Sequence, residues 1–244
     1  MPRRLRRLLI AVVACVVLGI GAGFAIFALR GADAPPPPSL SEAATATPGA
    51  TAAPAGRATW QVVSGDPTFV GYRVREQFVS FGVVDAVGRT GEVTGMAQID
   101  GDTVEGAELE TDMTTLRSDE RRRDNALRGR GIETDRFPTA TFELTGPFEF
   151  SREPVPARGR LTLHGETRPI TARVSGQRGS DGTIELAGSA PIEFDRFGIE
   201  PPSVAGFVTV RDTGRLEFDL RLEPRGSGQR DYIPGPDRPM KEVR

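Results

Sequence analysis

From residue 59 to residue 224, apolar and polar side chains alternate with a period close to two. Leu216, Phe218, Leu220 and Leu222 alternate with Glu217, Asp219, Arg221 and Glu223. Ile192 and Phe194 alternate with Glu193 and Asp195, and Leu161 and Leu163 with Arg160, Thr162 and His164. The same rhythm carries Phe142 and Leu144, then Ile170, Ala172 and Val174. Successive side chains of a strand point to opposite faces, so each run predicts a strand with one buried and one wet face. Turn-forming residues separate the runs: Asp66-Pro67, Asp100-Gly101, Gly146-Pro147, Gly179-Ser180-Asp181-Gly182, Pro201-Pro202 and Thr213-Gly214. About eight to ten strands fit. Antiparallel strands with one apolar face must close on themselves or pair face to face, giving a barrel or a sandwich. One segment breaks the rhythm. Ser118 to Gly131 reads as a short polar helix, with Ser118 as cap, Asp119 and Glu120 in its first turn, and Arg128 and Arg130 near its end. That charge order suits a helix dipole.

The N-terminal pattern is different. Leu8 to Leu29 carries no charge. As a helix it is about 33 Å long, enough to span a bilayer core. Arg3, Arg4, Arg6 and Arg7 precede it, which places the N-terminus in the cytoplasm and the rest outside. The run is longer than a signal-peptide core, and Pro35 directly follows the small-x-small site at Ala32–Ala34, so an uncleaved anchor is expected. The expected organisation is a stub and transmembrane helix over 1–30, an Ala/Thr/Pro-rich linker over 31–58, a β domain over 59–224, and a disordered tail over 225–244. The linker, with Pro35–Pro38 in a run, is read as a spacer that buries nothing.

Charge narrows the choice of partner. The β domain carries a net charge of −8 although the whole chain is at −2. A domain of that sign lacks the basic face that nucleic acid requires. With one Cys and one His, the chain has neither a disulfide framework nor a multi-histidine metal site. No cofactor is expected. No nucleophile elbow is present, and His164 is the sole imidazole; its place at a strand end reads as structural, on the wet face. Asp100-Gly101-Asp102 with Glu105 lacks the full spacing of a calcium loop and reads as a hairpin turn. The acid–base inventory is thin, so an enzyme is not expected, although carboxylates such as Asp124 could still serve one acting on lipids.

Three motifs resemble a known family. Arg123-Asp124 with Leu127 precedes Phe137-Pro138-Thr139-Ala140-Thr141-Phe142. Gly159-Arg160-Leu161-Thr162-Leu163-His164-Gly165-Glu166-Thr167-Arg168-Pro169 follows, and then Phe194-Asp195-Arg196-Phe197-Gly198. In that order they resemble the YceI-like, or polyisoprenoid-binding, family across residues 59–223. The resemblance implies an all-β fold: an antiparallel eight-stranded barrel of lipocalin-like shape with one short helical insertion, here preceded by a single transmembrane helix. It also implies an isoprenoid lipid as ligand, held inside the barrel. Family members often carry His near the first strand and on the helix; this chain has Asp66-Pro67-Thr68-Phe69 and Asn125-Ala126-Leu127 there.

The candidate lipid-cavity residues are Phe69, Tyr72, Val74, Phe142, Leu144, Phe194, Phe197 and Phe218. Each aromatic either fills a closed core or lines a cavity, because alternation puts both kinds inward. Arg123, Arg168 and Arg196 are candidate contacts for a lipid head group, and Arg123-Asp124 can equally tie the helix to the barrel. The first reading is a membrane-tethered extracytoplasmic protein holding a polyprenyl phosphate or a quinone. The alternative is a closed-core envelope domain that binds a protein through an exposed apolar patch.

Overall fold

The computed structural model describes residues 34–42, 56–78, 82–201 and 208–225. The segment expected to cross a membrane, Leu8–Leu29, lies outside them, as does nearly all of the C-terminal tail. Among the described residues no helix is long and apolar enough to span a bilayer.

The alternating runs become twelve strands. They are β1 (Ala58–Val62), β2 (Phe69–Phe78), β3 (Gly82–Thr90), β4 (Val93–Asp100), β5 (Thr103–Asp112), β6 (Arg117–Ser118), β7 (Thr139–Leu144), β8 (Phe148–Glu149), β9 (Val155–Leu163), β10 (Glu166–Arg178), β11 (Ile184–Glu193) and β12 (Val208–Pro224). One helix, α1 (Arg121–Gly129), lies between β6 and β7. Every pairing is antiparallel.

Two pairs of strands act as single staves. β12 pairs β2 through Asp219↔Phe69 and then β1 through Leu222↔Val62. β2 pairs β3 and β1 pairs β4, so β1 with β2 and β3 with β4 form one long bent hairpin. With β5, β7, β9, β10, β11 and β12 the staves number eight, and the β1–β12 pairing closes the barrel. Closure removes the free edges that an open sheet would expose.

The two ends of the barrel differ. At the base, where β1 starts and β12 ends, Trp60, Ile99, Val104, Ile184 and Leu222 are all 1% exposed or less. At the mouth sit the β9–β10 hairpin, the 3₁₀ turn Phe194–Phe197, and the long β5–β7 connection that carries α1.

Several local expectations change. Thr213-Gly214 is not a turn: it lies inside β12, where the register with β2 shifts between Val210 and Gly214. The bulge adds residues to one strand and bends it without ending it. The helix starts later than expected, because the Glu120 carboxylate caps it by accepting from the Arg122 N–H at 3.0 Å, while Ser118 belongs to β6. His164 is not on the wet face. It and Gly165 hold φ of 54° and 77° in a two-residue hairpin turn. The ring is 13% exposed, with Nδ1 at 3.0 Å from the Phe197 carbonyl and Nε2 at 3.3 Å from Glu133. Of the linker expected over 31–58, residues 34–42 are described together with the start of the barrel, and Pro35, Pro36 and Ser41 hydrogen-bond to the outside of the barrel.

Candidate functional site

The barrel interior is hollow along most of its length. Its lining runs from Val104, Phe148 and Leu222 near the base to Met113, Ile132 and Ile199 at the mouth. It leaves about 150 Å³ accessible to the centre of a water molecule. Small side chains make the space. Inward-facing Ala97 pairs across the ladder with Ala107, and Ala157 with Ala172. Where a filled barrel would place Leu or Phe opposite each other, these pairs leave a gap too apolar to hold ordered water.

Six of the eight candidate residues meet on this lining: Tyr72, Val74, Phe142, Leu144, Phe194 and Phe218. Two do not. Phe69 lies on the outer wall under the Arg89 guanidinium, 3.9 Å from the ring centroid. Phe197 is 2% exposed and packs in a separate small cluster with Leu161, Ile192 and Ile199. Strand parity carries the signal for Phe69: it stands three residues before Tyr72 and five before Val74, so it cannot share their face. The alanine pairs are hard to see in the sequence because Ala announces nothing by size or charge. Their signal was alternation, with Ala in the inward register of neighbouring strands.

The mouth holds the polar part of the site. Tyr72, Val74 and Glu76 face inward from β2, and α1 closes over them. Arg123 of α1 reaches down to Glu76, with Nε at 3.0 Å from Oε1 and Nη2 at 3.1 Å from Oε2. Its Nη1 donates to Asp119 at 2.6 Å and to Ser118 at 3.3 Å. Burial alone would lower the Arg123 pKa; its bonds to Glu76 and the attraction of that carboxylate outweigh this and raise it. Asp124 accepts from the Ser118 N–H at 2.9 Å and from the Ser118 hydroxyl at 2.7 Å. The Arg-Asp pair thus fastens the helix to β2 and β6.

Arg168 and Arg196 lie elsewhere at the mouth. Arg168 donates to the Arg196 carbonyl at 2.9 Å and pairs with Glu166 at 2.8 Å, and the Arg196 side chain is exposed.

Tyr72 is the unusual member. Its ring lies against Gly88 of β3, where a Cβ would stand 2.4 Å from Cε1. Its hydroxyl is buried and has no hydrogen-bond partner. Ser118 is near, but its hydroxyl already donates to Asp124 and accepts from the Glu120 N–H and from Arg123 Nη1. Burial, reduced a little by the Arg123 charge, holds the phenol well above its ordinary pKa. Its burial favours the neutral, donating form, and an unmet buried hydroxyl costs about 1–3 kcal/mol.

A closed eight-stranded antiparallel barrel with an apolar bore and a polar mouth is a geometry suited to one small ligand. The particular family follows from comparison. The YceI-like domain model matches residues 60–222, two thirds of the chain, and the chain belongs to that family. A UPF0312 protein of Vibrio cholerae serotype O1 is 27% identical over 113 residues, 42% of this chain. The chain spans 57% of that curated relative. Among solved structures, a polyisoprenoid binding domain from Saccharophagus degradans, implicated in plant cell wall breakdown, superposes with a TM-score of 0.54. It is 17% identical, and the match covers 68% of this chain and 98% of that one. BcnA of Burkholderia cenocepacia gives a TM-score of 0.52 at 17% identity, over 62% of this chain and 95% of its own. At those identities the two structures share the fold.

Proposed function

We propose that this chain is a non-catalytic, membrane-tethered extracytoplasmic protein. It holds one isoprenoid-type chain in the barrel, with a neutral oxygen of the head group at Tyr72. The observation that carries the reading is the apolar bore, on whose lining Tyr72 stands with a buried hydroxyl that has no partner. From Gly214 to Leu222 the lining covers about 26 Å of strand, or about 20 Å along a tilted barrel axis. Spread over that length, 150 Å³ open to water centres is a channel about 3 Å across, or about 6 Å between walls once a water radius of about 1.4 Å is added on each side, wide enough for one extended hydrocarbon about 4 Å thick. The likeness to a polyisoprenoid binding domain supports the same class of ligand.

The mouth favours a quinone or prenol over a polyprenyl phosphate. A phosphate needs charged donors, and the Arg123 guanidinium is already spent on Glu76, Asp119 and Ser118. The Tyr72 hydroxyl can donate to a carbonyl or hydroxyl and would gain its missing partner. Burial of a chain stabilises the complex by about 0.8 kcal/mol per CH₂, and a bilayer offers nearly the same. The barrel is then a local shelter or carrier, and the head group supplies the selectivity.

The competing protein-interaction reading needs an exposed apolar patch. Among the described residues Val83 is the one large hydrophobic side chain that is exposed, at 54%. The test is native mass spectrometry of the full chain in mild detergent, with organic extraction, then challenge with a prenylquinone and a polyprenyl phosphate. One bound prenylquinone per chain, outcompeting the phosphate, supports the proposal. Binding of neither lipid overturns it.

A further inference from the structure

We infer that the outer wall of the barrel is a binding site for an extended proline-rich segment, and that residues 34–42 occupy it in cis as a fixed mount. The starting observation is an anomaly of burial. Outward-facing side chains of a barrel in water are wet, yet Glu217 is 1% exposed, Ala187 3% and Val87 6%. They sit on the outer faces of β12, β11 and β3. Residues 34–42 run across this part of the wall.

The chemistry of the wall follows the sequence of the segment. A polyproline stretch has no internal hydrogen bonds and no N–H of its own, so its carbonyls need donors. The wall supplies them where the prolines lie: Arg73 donates to the Pro35 carbonyl at 2.6 Å and Arg89 to the Pro36 carbonyl at 2.7 Å. Beyond the prolines the backbone N–H returns, and the wall supplies an acceptor. Glu185 accepts from the Ser41 N–H at 2.7 Å and from its hydroxyl at 2.6 Å, and Gln177 donates to the Ser41 carbonyl at 2.9 Å.

The two arginines are held for this task. Arg73 bonds Glu217 at 2.6 Å and Asp85 at 3.3 Å, and Arg89 stands 3.8 Å from Glu217. Gly71, between them, gives Arg89 room to lie flat: a Cβ there would stand 2.9 Å from Arg89 Cγ. The span also fits. From β3 to β10 are four strand spacings, about 19 Å. Five residues of polyproline geometry from Pro36 to Ser41 cover about 16 Å, and the arginine side chains bridge the rest. The mount fixes where the preceding chain leaves the barrel: beside Arg73, on the wall.

The test is hydrogen exchange of the Ser41 amide in the full chain. The proposal expects slow exchange, unchanged on dilution. Replacing Pro35, Pro36, Pro37 and Pro38 by Gly leaves the wall and every carbonyl intact but frees the segment. Protection of Ser41 should fall about tenfold or more, while the amides of β10–β12 stay protected. Adding a synthetic peptide of residues 34–42 to this variant should shift the Arg73 and Arg89 side-chain resonances. Ser41 exchanging like an unstructured amide, or protection surviving the four substitutions, overturns the proposal. Protection that is lost on dilution overturns the cis assignment, because the occupant is then a second copy.

Discussion

The inner wall of this barrel and one part of its outer wall are both buried, by opposite means. Inside, Ala97, Ala107, Ala157 and Ala172 face one another and leave a bore with almost nothing polar in it. Outside, Arg73, Arg89 and Glu217 are desolvated together beneath the chain's own backbone. The inner wall lacks donors, which suits a hydrocarbon. The outer wall binds by supplying donors in register, which suits a polypeptide without N–H groups. The same strands, β2 and β12, serve both, because alternation lets each face carry its own chemistry.

The largest expected effects separate packing from charge. Trp60→Ala at the base should cost about 3–5 kcal/mol, read as a fall in denaturation midpoint. Glu217→Ala leaves two arginines without their shared partner and should cost about 3 kcal/mol. Glu223→Ala, on the same face of β12 but exposed, should stay within about 0.5 kcal/mol. Equal effects from the two glutamates would erase the distinction between the covered and uncovered parts of the outer wall.

Two further variants sharpen the inner wall. Ala172→Phe fills the bore; overpacking should cost about 1–3 kcal/mol, and extracted lipid should drop to background while the circular dichroism spectrum is kept. Tyr72→Phe removes the unmet hydroxyl. Stability should hold or rise, affinity for a prenylquinone should fall about fivefold, close to 1 kcal/mol, and affinity for a bare hydrocarbon should not move.

A last, modest effect is one of pH. Burial first, then the Glu185 carboxylate, push Asp219 up to about 6 against the attraction of Arg89. A carboxyl raised in the folded state stabilises it below the unfolded pKa and loses that contribution as pH rises through about 6. Partial exposure limits the effect to about 1 kcal/mol. Asp219→Asn should remove that slope between about pH 4 and pH 6 in denaturant titrations.

Much of this was legible in the sequence. The rhythm of Leu216 to Glu223 gave the direction of every side chain in that half of β12, and the ordered motifs pointed to the barrel. Alternation states which way a residue faces, however, not what covers it. Glu217 looked wet because nothing local says that Arg73 and Arg89, bonded in turn to the Pro35 and Pro36 carbonyls, close over it. Thr213-Gly214 looked like a turn because a bulge uses the same residue types. His164 looked exposed because its partners, Phe197 and Glu133, are thirty residues away in either direction. The cavity was the least legible feature of all, since an alanine facing an alanine makes a bore only once the ladder register is known.

The central claim is that one chain lies in the bore with its head at Tyr72 and its tail toward the base. Trp60 is the only tryptophan and sits at that base, so it reports the tail. Two prenyl ligands, one brominated at the tail end and one beside the head group, should be titrated against Trp60 fluorescence. The account predicts quenching by the tail-brominated ligand at one equivalent and little by the head-brominated one. Equal quenching by both, or none from either while binding is seen by mass, would contradict it.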